Sequence, residues 1–171
     1  PHTMQRYEIV NGVMIVTPAP IMRHQWILGK LYRLLYAFVA EHQLGTVVMA
    51  PFDIVVQREP LRTRQPDLLF ISTERMPVEK LIDLERLEFA PDIVVEIISP
   101  SERTSDIAKK LNDYLAIGVR EVWLVNMQTK SVEVLVSVET VWQLHGLFGE
   151  GDTIKSQVLK GFEISVAEIF K

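Results

Sequence analysis

The sequence predicts an α/β (α+β) domain built on a mixed β-sheet, with helices on the faces of the sheet and a β-hairpin at the N-terminus. Three stretches predict this architecture. Residues 7–16 (YEIVNGVMIV) form two alternating runs, residues 17–45 repeat apolar side chains at helical spacing, and residues 92–126 follow the order strand, helix, strand. Because such a crossover is right-handed and joins parallel strands, the last stretch places two parallel strands in one sheet.

The first third of the chain supplies the hairpin, a long helix and two strands. Asn11-Gly12 favours a two-residue type I′ turn, since both positions of that turn need positive φ. The helix should cover about 20 residues, with an apolar stripe at spacings of three and four. This stripe consists of His24, Leu28, Leu31, Leu35 and Phe38. We expect Gly45 to end the helix, and we interpret residues 46–50 and 52–56 as a strand pair interrupted by a proline.

The rest of the chain alternates strands with one further long helix. The expected elements are a polar loop at 57–65, a strand at 66–72, a short helix near 77–87, a strand at 92–98, a loop at 99–105, a helix at 106–118, a strand at 119–126 and short strands over 130–171. Ser105 is a candidate cap for the long helix, and Gly118 is placed to end it. A turn is expected at 149–152 (GEGD), and 167–170 (AEIF) is expected to close the chain as a helical turn.

Composition limits the kind of protein this can be. The 171 residues fit one domain, expected at 4–171, with residues 1–3 interpreted as a cloning remnant ahead of Met4. A formal net charge of −4 argues against a protein that coats nucleic acid, so contact with DNA would depend on a local patch or on metal ions. The absence of cysteine excludes disulfides and thiolate zinc sites and suits a cytoplasmic protein. No apolar run approaches about 18 residues, so no membrane span is expected.

Glu96 is the residue that most needs an explanation. It interrupts the run IVVEII at 93–98, whose other members are apolar and β-branched, as in a strand buried on both faces. An unpaired buried charge is costly, so this carboxylate should be paired, protonated or bound to a metal ion. A structural role would need a dedicated buried cation, which Lys110 or an arginine could supply.

Other polar residues could join Glu96 in a metal site. Mg²⁺ prefers carboxylate, carbonyl and water oxygens, and hydrolysis of a phosphodiester also benefits from a nearby cation. Asp67 begins the strand PDLLF and would face Glu96 if the two strands are neighbours. Asp106, Lys110 and Tyr114 follow at intervals of four and are expected on one face of the next helix. Plainer interpretations stay open, with Asp67 accepting backbone N–H bonds at a strand end and Asp106 forming an exposed ion pair with Lys110.

The central stretch of the chain resembles a known family. The order PDLLFIS and then PDIVVEIISPSERTSDIAKKLNDYLAIGVREVWLVN is similar to the Uma-two family of endonucleases in the PD-(D/E)xK superfamily, and YEIVNGVMIVTPAP, PFDIVV, GEGDTIKS and GFEISVAEIF flank it in the same order. The resemblance implies a restriction-endonuclease-like core and a metal-dependent endonuclease that acts on DNA with Mg²⁺ or Mn²⁺. Because one nuclease site cuts one strand, double-strand cleavage would need a homodimer or two encounters. A homodimer is expected, and the apolar strands near the C-terminus are a candidate interface.

The resemblance also assigns catalytic roles to individual residues. Asp67 and Glu96 match the two acidic positions and would bind the metal ion, helped by the backbone carbonyl of Ile97. The superfamily usually places a lysine two residues after the second acidic position, which is Ile98 here, and Lys110 resembles a migrated substitute. Lys109 is adjacent in sequence but lies about 100° around the helix, so it should point elsewhere.

Supporting roles are expected for residues around this core. Tyr114 and Asp106 would support the helix face, and Ser99 is interpreted as a turn residue near the site. His24 resembles a position that the family uses near the metal, as an orienting group, although a histidine on an apolar stripe is also a common core residue. A weaker expectation is a nucleic-acid-binding edge of arginines, namely Arg58, Arg62, Arg64 and Arg103. Two alternatives to a nuclease stay open: a nuclease-like module that binds nucleic acid or regulates without turnover, and a purely structural pair of Glu96 with Lys110.

Overall fold

The computed structural model describes residues 7–16 and 18–171, so the remnant expected at residues 1–3 lies outside the described residues. The helices and strands are β1 (Tyr7–Val10), β2 (Val13–Val16), α1 (Met22–Glu41), β3 (Gly45–Met49), β4 (Asp53–Gln57), β5 (Arg62–Arg64), β6 (Leu68–Ser72), α2 (Val78–Leu81), β7 (Arg86–Leu87), β8 (Ile93–Ile98), α3 (Thr104–Ile117), β9 (Glu121–Asn126), β10 (Ser131–Val138), β11 (Val141–Phe148), β12 (Thr153–Lys155), β13 (Glu163–Ser165) and α4 (Val166–Phe170). No helix among them is both long and apolar enough to cross a membrane.

A six-stranded mixed sheet forms the centre of the fold, in the order β11-β10-β9-β8-β6-β3. The strands β8 and β9 are parallel and are joined by α3, which confirms the predicted crossover, and the other neighbouring strands are antiparallel. A smaller three-stranded sheet has the order β5-β4-β7 and packs Ile54 and Leu87 into one apolar layer with the central sheet. The predicted class, a mixed sheet flanked by helices with an N-terminal hairpin, is therefore confirmed.

Two apolar layers cover the faces of the central sheet. On one face, α1 packs Leu31 and Leu35 against a layer that includes Val95 and Ile97 of β8. On the other face, Tyr114 of α3 packs in a second layer that includes Val94. Because side chains alternate along a strand, Glu96 lies on the same face of β8 as Val94, beneath α3. The alternation of β8 thus turns one carboxylate towards the helix that carries Lys110.

The N-terminal hairpin forms as the sequence predicts. Tyr7 pairs with Val16 and Val10 with Val13, so only two residues connect the strands. Asn11 and Gly12 have φ values of 52° and 77°, which is the positive pair that a type I′ turn needs.

Gly45 has a different role from the predicted one. The helix α1 ends at Glu41, and Gln43 adopts the left-handed conformation with φ 54°, whereas Gly45 is the first residue of β3. A Cβ atom at Gly45 would lie 2.0 Å from the carbonyl oxygen of Ile71, since β3 approaches β6 closely at this point. The glycine is therefore required by the contact between two strands.

Several further expectations about local structure are wrong. The strands at 46–50 and 52–56 exist as β3 and β4, but they belong to different sheets. The polar loop at 57–65 contains β5, which pairs with β4. The helix predicted near 77–87 is only one turn, α2, followed by the short strand β7. The helix α3 begins at Thr104 without a side-chain cap, so Ser105 lies inside it, while Gly118 ends it with φ 93° as predicted.

Candidate active site

Asp67 and Glu96 lie on neighbouring antiparallel strands at the same level of the sheet. Leu68 of β6 pairs with Val95 of β8, which places the preceding Asp67 level with the following Glu96. Both residues are 3% exposed. Oδ2 of Asp67 accepts a hydrogen bond of 2.7 Å from the backbone N–H of Ile97. The plainer interpretation of Asp67, as an acceptor of backbone N–H bonds at the end of a strand, is therefore correct for this contact. Two carboxylates thus share one buried corner of the sheet.

Both oxygens of Glu96 are contacted by side chains from α3. Lys110 Nζ donates a hydrogen bond of 2.9 Å to Oε2, and the Tyr114 hydroxyl donates to Oε1. Lys110 Nζ also lies 2.9 Å from Oε1 of Glu102, in the loop before α3. One ammonium group therefore bridges two carboxylates. Glu102 was missed from the sequence because it lies in a polar loop, where no periodic pattern indicates which way a side chain points.

Burial and an excess of carboxylates over cations together shift several pKa values in this corner. Burial raises the pKa of Glu96 above its usual value, and the charge of Asp67 raises it further, although Lys110 lowers it in part. Burial alone would lower the pKa of Lys110, but the charges of Glu96 and Glu102 hold that pKa above its usual range. Burial and the nearby Glu96 charge also raise the pKa of Tyr114, so its hydroxyl stays protonated. A further positive charge would be favourable here.

His24 reaches this corner from the first turn of α1. Its Nε2 lies 3.3 Å from Oδ2 of Asp67, and the side chain is 7% exposed. Its Nδ1 is buried and has no hydrogen-bond partner among the described residues. His24 is therefore both a buried residue on the apolar stripe of α1 and a neighbour of Asp67, so the two interpretations of this histidine are compatible.

The donor set suits a hard divalent cation. Asp67 and Glu96 offer carboxylate oxygens, and Mg²⁺ typically takes one or two carboxylates and completes its coordination with water and substrate phosphate. No group of three or more His, Asp or Glu side chains is arranged around a common point in the described part of the chain. The residues therefore fit an ion held by two carboxylates better than a closed protein cage, and an ion would have to replace part of the contact between Lys110 and Glu96.

Two of the four arginines expected at a nucleic-acid edge are engaged in the protein itself. Arg64 is buried and lies between Glu8 Oε2 at 2.8 Å and Asp113 Oδ2 at 2.6 Å. Arg62 donates to Asp113 Oδ1 at 2.8 Å and to Asn11 Oδ1 at 2.7 Å. These bonds join the hairpin, β5 and α3, which places the helix that carries Lys110. Arg58 is exposed and contacts Glu88, and Arg103 lies exposed just before α3.

Asp106 and Ser99 are not brought into contact with Glu96. Asp106 is about half exposed and pairs with Lys109 at 3.1 Å, instead of with Lys110 as expected. Eight residues of α-helix turn through about 80° beyond two full turns, so Asp106 and Tyr114 do not share a face closely. Ser99 Oγ lies 3.2 Å from Ser101 Oγ, within the turn where it was expected.

Two further buried carboxylates, Glu121 and Asp92, are each surrounded by hydrogen-bond donors or cations, as expected for carboxylates with a structural role. Glu121 on β9 is 0% exposed and accepts hydrogen bonds from four groups, namely Trp123 Nε1, Ser156 Oγ and the backbone N–H groups of Gln157 and Val158. Asp92 accepts a bond from the backbone N–H of Ser72 and pairs with Arg75 and Arg120. Burial opposes the charge of Asp92, but these donors lower its pKa below the usual value. The pKa of Glu96 is raised where that of Asp92 is lowered, and a second carboxylate, Asp67, lies beside Glu96.

The fold is shared with a solved structure whose title describes a putative nuclease. The chain is similar to a solved structure entitled "a putative nuclease belonging to DUF820" from Anabaena variabilis ATCC 29413, with a TM-score of 0.81 and 18% sequence identity over 99% of this chain and 92% of that one. At this identity the likeness shows a shared fold. The Uma2 family model, described as "Putative restriction endonuclease", matches residues 1–167. The chain therefore belongs to the Uma2 family, which is the family that the sequence resembles. No curated protein matches the chain.

Proposed function

We propose that this protein is a metal-dependent endonuclease that hydrolyses phosphodiester bonds in DNA. The observation that carries the proposal is the buried pair Asp67 and Glu96, with the pKa of Glu96 raised and Lys110 within 2.9 Å. Such an arrangement is unfavourable for a purely structural site, but it suits one that takes up a cation. Membership of the Uma2 family supports the same reaction class.

In this proposal each side chain has a distinct task. Asp67 and Glu96 hold Mg²⁺ or Mn²⁺, and the backbone carbonyl oxygen of Ile97 is a further metal ligand. His24 orients Asp67 through its Nε2. When bound, a divalent cation supplies charge stabilisation at the phosphate and lowers the pKa of a bound water. Lys110 orients the attacking water or neutralises charge on the scissile phosphate.

Two neighbouring groups keep these side chains in place. The Tyr114 hydroxyl fixes the carboxylate plane of Glu96. The Glu102 carboxylate keeps Lys110 Nζ charged and close to the site. We propose DNA as the substrate on the basis of family membership. A cytoplasmic location is part of the same proposal and fits a chain without cysteine.

A second candidate function rests on a specific contact. Lys110 and Tyr114 already occupy both oxygens of Glu96, as they would in a nuclease-like module that binds nucleic acid or regulates without turnover. The two functions differ in whether bound metal supports hydrolysis. A purely structural pair of Glu96 with Lys110 predicts no metal binding at all.

Calorimetric titration with Mn²⁺ and Mg²⁺ tests the ligand assignment. We expect the wild type to bind one ion, and Asp67→Asn and Glu96→Gln to lose that binding while keeping the far-ultraviolet circular dichroism of the wild type. Glu133→Gln is the matched control, since it removes the same charge from an exposed position on β10. Unchanged binding by Glu96→Gln would overturn the assignment.

A further inference from the structure

The strand β2 exposes an apolar surface that nothing in the described chain covers. Its four residues are Val13, Met14, Ile15 and Val16, and they are 63%, 62%, 49% and 52% exposed. Successive side chains of a strand point to opposite faces, so exposure of all four means that both faces of β2 are open. Within the described residues β2 pairs only with β1, which leaves its outer edge without a partner strand.

This edge lacks the features that normally keep an edge strand from pairing. Such features are charged side chains, proline and β-bulges. The four residues of β2 include no charge and no proline, and their register with β1 runs without interruption. A two-stranded ribbon is only marginally stable alone, so a further strand would also stabilise the hairpin.

A second exposed apolar edge, that of β11, is better protected. The strand β11, at the edge of the central sheet, exposes Leu144 and Leu147, but the polar residues Gln143 and His145 interrupt it. Its pairing with β10 also contains an irregularity between Val134 and Leu135. Such an irregularity is one of the features of an edge that resists addition of a strand, and β2 lacks it. Of the two edges, β2 is therefore the better candidate interface, rather than the C-terminal strands expected from the sequence.

We propose that β2 pairs antiparallel with β2 of a second copy of this chain, so that two hairpins form one four-stranded sheet. A strand without charge does not suit a polyanion such as nucleic acid, which needs cations, whereas it is complementary to itself. Exposed apolar residues adjoin β2 in the chain: Tyr7 on β1 and Ile21 and Met22 before and within α1. At roughly 200 Å² for each fully exposed residue, the seven together expose on the order of 800 Å², which would equal what one partner contributes to a standard interface if the dimer covered all seven.

Symmetry restricts the register of this pairing. Two identical antiparallel strands in one sheet are related by a two-fold axis perpendicular to the sheet, which preserves the face of every side chain. Residues directly opposite each other in an antiparallel pair also point to the same face of the sheet. The register must therefore place one residue of β2 directly opposite the same residue in the second copy, with the two-fold axis between them. In a strand of four residues, either Met14 or Ile15 is the residue nearest the centre that can occupy this position.

Sedimentation and cross-linking test the interface without reference to nuclease activity, so this proposal can fail while the proposed function stands. We expect the wild type to sediment at twice the 19.6 kDa of one chain at tens of micromolar. The double variant Met14→Lys, Ile15→Lys should sediment as a monomer with unchanged circular dichroism, because its side chains are exposed within one chain. Leu144→Lys, Leu147→Lys on β11 is the matched control and should remain a dimer.

Single cysteines then locate the contact, since the wild type has none. Under mild oxidation, either Met14→Cys or Ile15→Cys should form a covalent dimer, and Leu144→Cys should remain a monomer on a denaturing gel. A monomeric wild type would overturn the proposal, as would a dimer that only the β11 variant dissociates. A dimer in which neither β2 cysteine cross-links would overturn the proposed strand pairing.

Discussion

Replacing Lys110 with methionine should destabilise the protein, because two carboxylates would lose their shared cation. Glu96 is buried and Glu102 is mostly buried, and both lie 2.9 Å from Lys110 Nζ. Breaking a buried ion pair costs about 3–5 kcal/mol. Since the Lys110 side chain is 19% exposed, water can reach the site in part, and we expect the lower end of that range. A loss of ~3 kcal/mol lowers the Tm of a domain of this size by ~6–12 °C.

Thermal and urea unfolding, followed by circular dichroism, measures this loss with and without Mg²⁺. If Asp67 and Glu96 bind the ion, Mg²⁺ should stabilise the variant by ~2.7 kcal/mol at a hundred times its Kd, which offsets most of the damage. Lys109→Met is the matched control, because Lys109 is 66% exposed and pairs only with the half-exposed Asp106 in the contacts described. Its effect should stay within about 0.5 kcal/mol.

Two results would refute this reasoning. Equal Tm losses for Lys110→Met and Lys109→Met would show that Lys110 does not compensate buried charge. A large loss that Mg²⁺ leaves unchanged would identify the Lys110 contact as a structural ion pair, with no metal site at Asp67 and Glu96.

Three further predictions concern single contacts. Gly45→Ala should destabilise the fold by several kcal/mol, because its Cβ would lie 2.0 Å from the Ile71 carbonyl oxygen, whereas Gly29→Ala in open space on α1 should stabilise it by about 0.5–1 kcal/mol in urea unfolding. Tyr114→Phe should cost about 1–3 kcal/mol, since the buried Glu96 carboxylate loses a donor; an unchanged urea midpoint would argue against that contact. The raised pKa of Glu96 favours the folded state at pH below the usual value of 4.5, and this contribution is lost as the pH rises through the raised pKa. Mg²⁺ competes with the proton on Glu96, so the increase in Tm that Mg²⁺ causes should grow as the pH rises through the raised pKa. An increase in Tm that does not change with pH would contradict the assignment of Glu96 as a metal ligand.

The parts of the structure that the sequence predicted are those with a local cause. The hairpin turn follows from the positive φ values that Asn11-Gly12 accepts, and the end of α3 follows from Gly118. Asp67 and Glu96 could be placed together because each is an acid next to or within an apolar strand, and the order of those strands resembles a known family.

The parts that could not be predicted depend on contacts between distant segments. Gly45 is needed because β3 passes close to Ile71, which no local pattern records. The sequence places Arg64 in a polar loop, but its partners Glu8 and Asp113 lie 56 and 49 residues away along the chain. Glu102 is held by Lys110 across a helix start whose orientation only the folded chain determines. The sequence therefore predicted the two acidic residues of the site, Asp67 and Glu96, whereas only the structure shows which charged groups surround them.

Cleavage of supercoiled plasmid DNA tests the central claim most directly. Purified protein is incubated with plasmid and with single-stranded DNA in Mg²⁺ or Mn²⁺, beside Glu96→Gln, Lys110→Ala and the control Glu133→Gln. We predict nicked or linear product that requires metal, is lost in the first two variants and persists in the control. A folded wild type that leaves both substrates intact, with either metal, would contradict the nuclease assignment and favour the binding module.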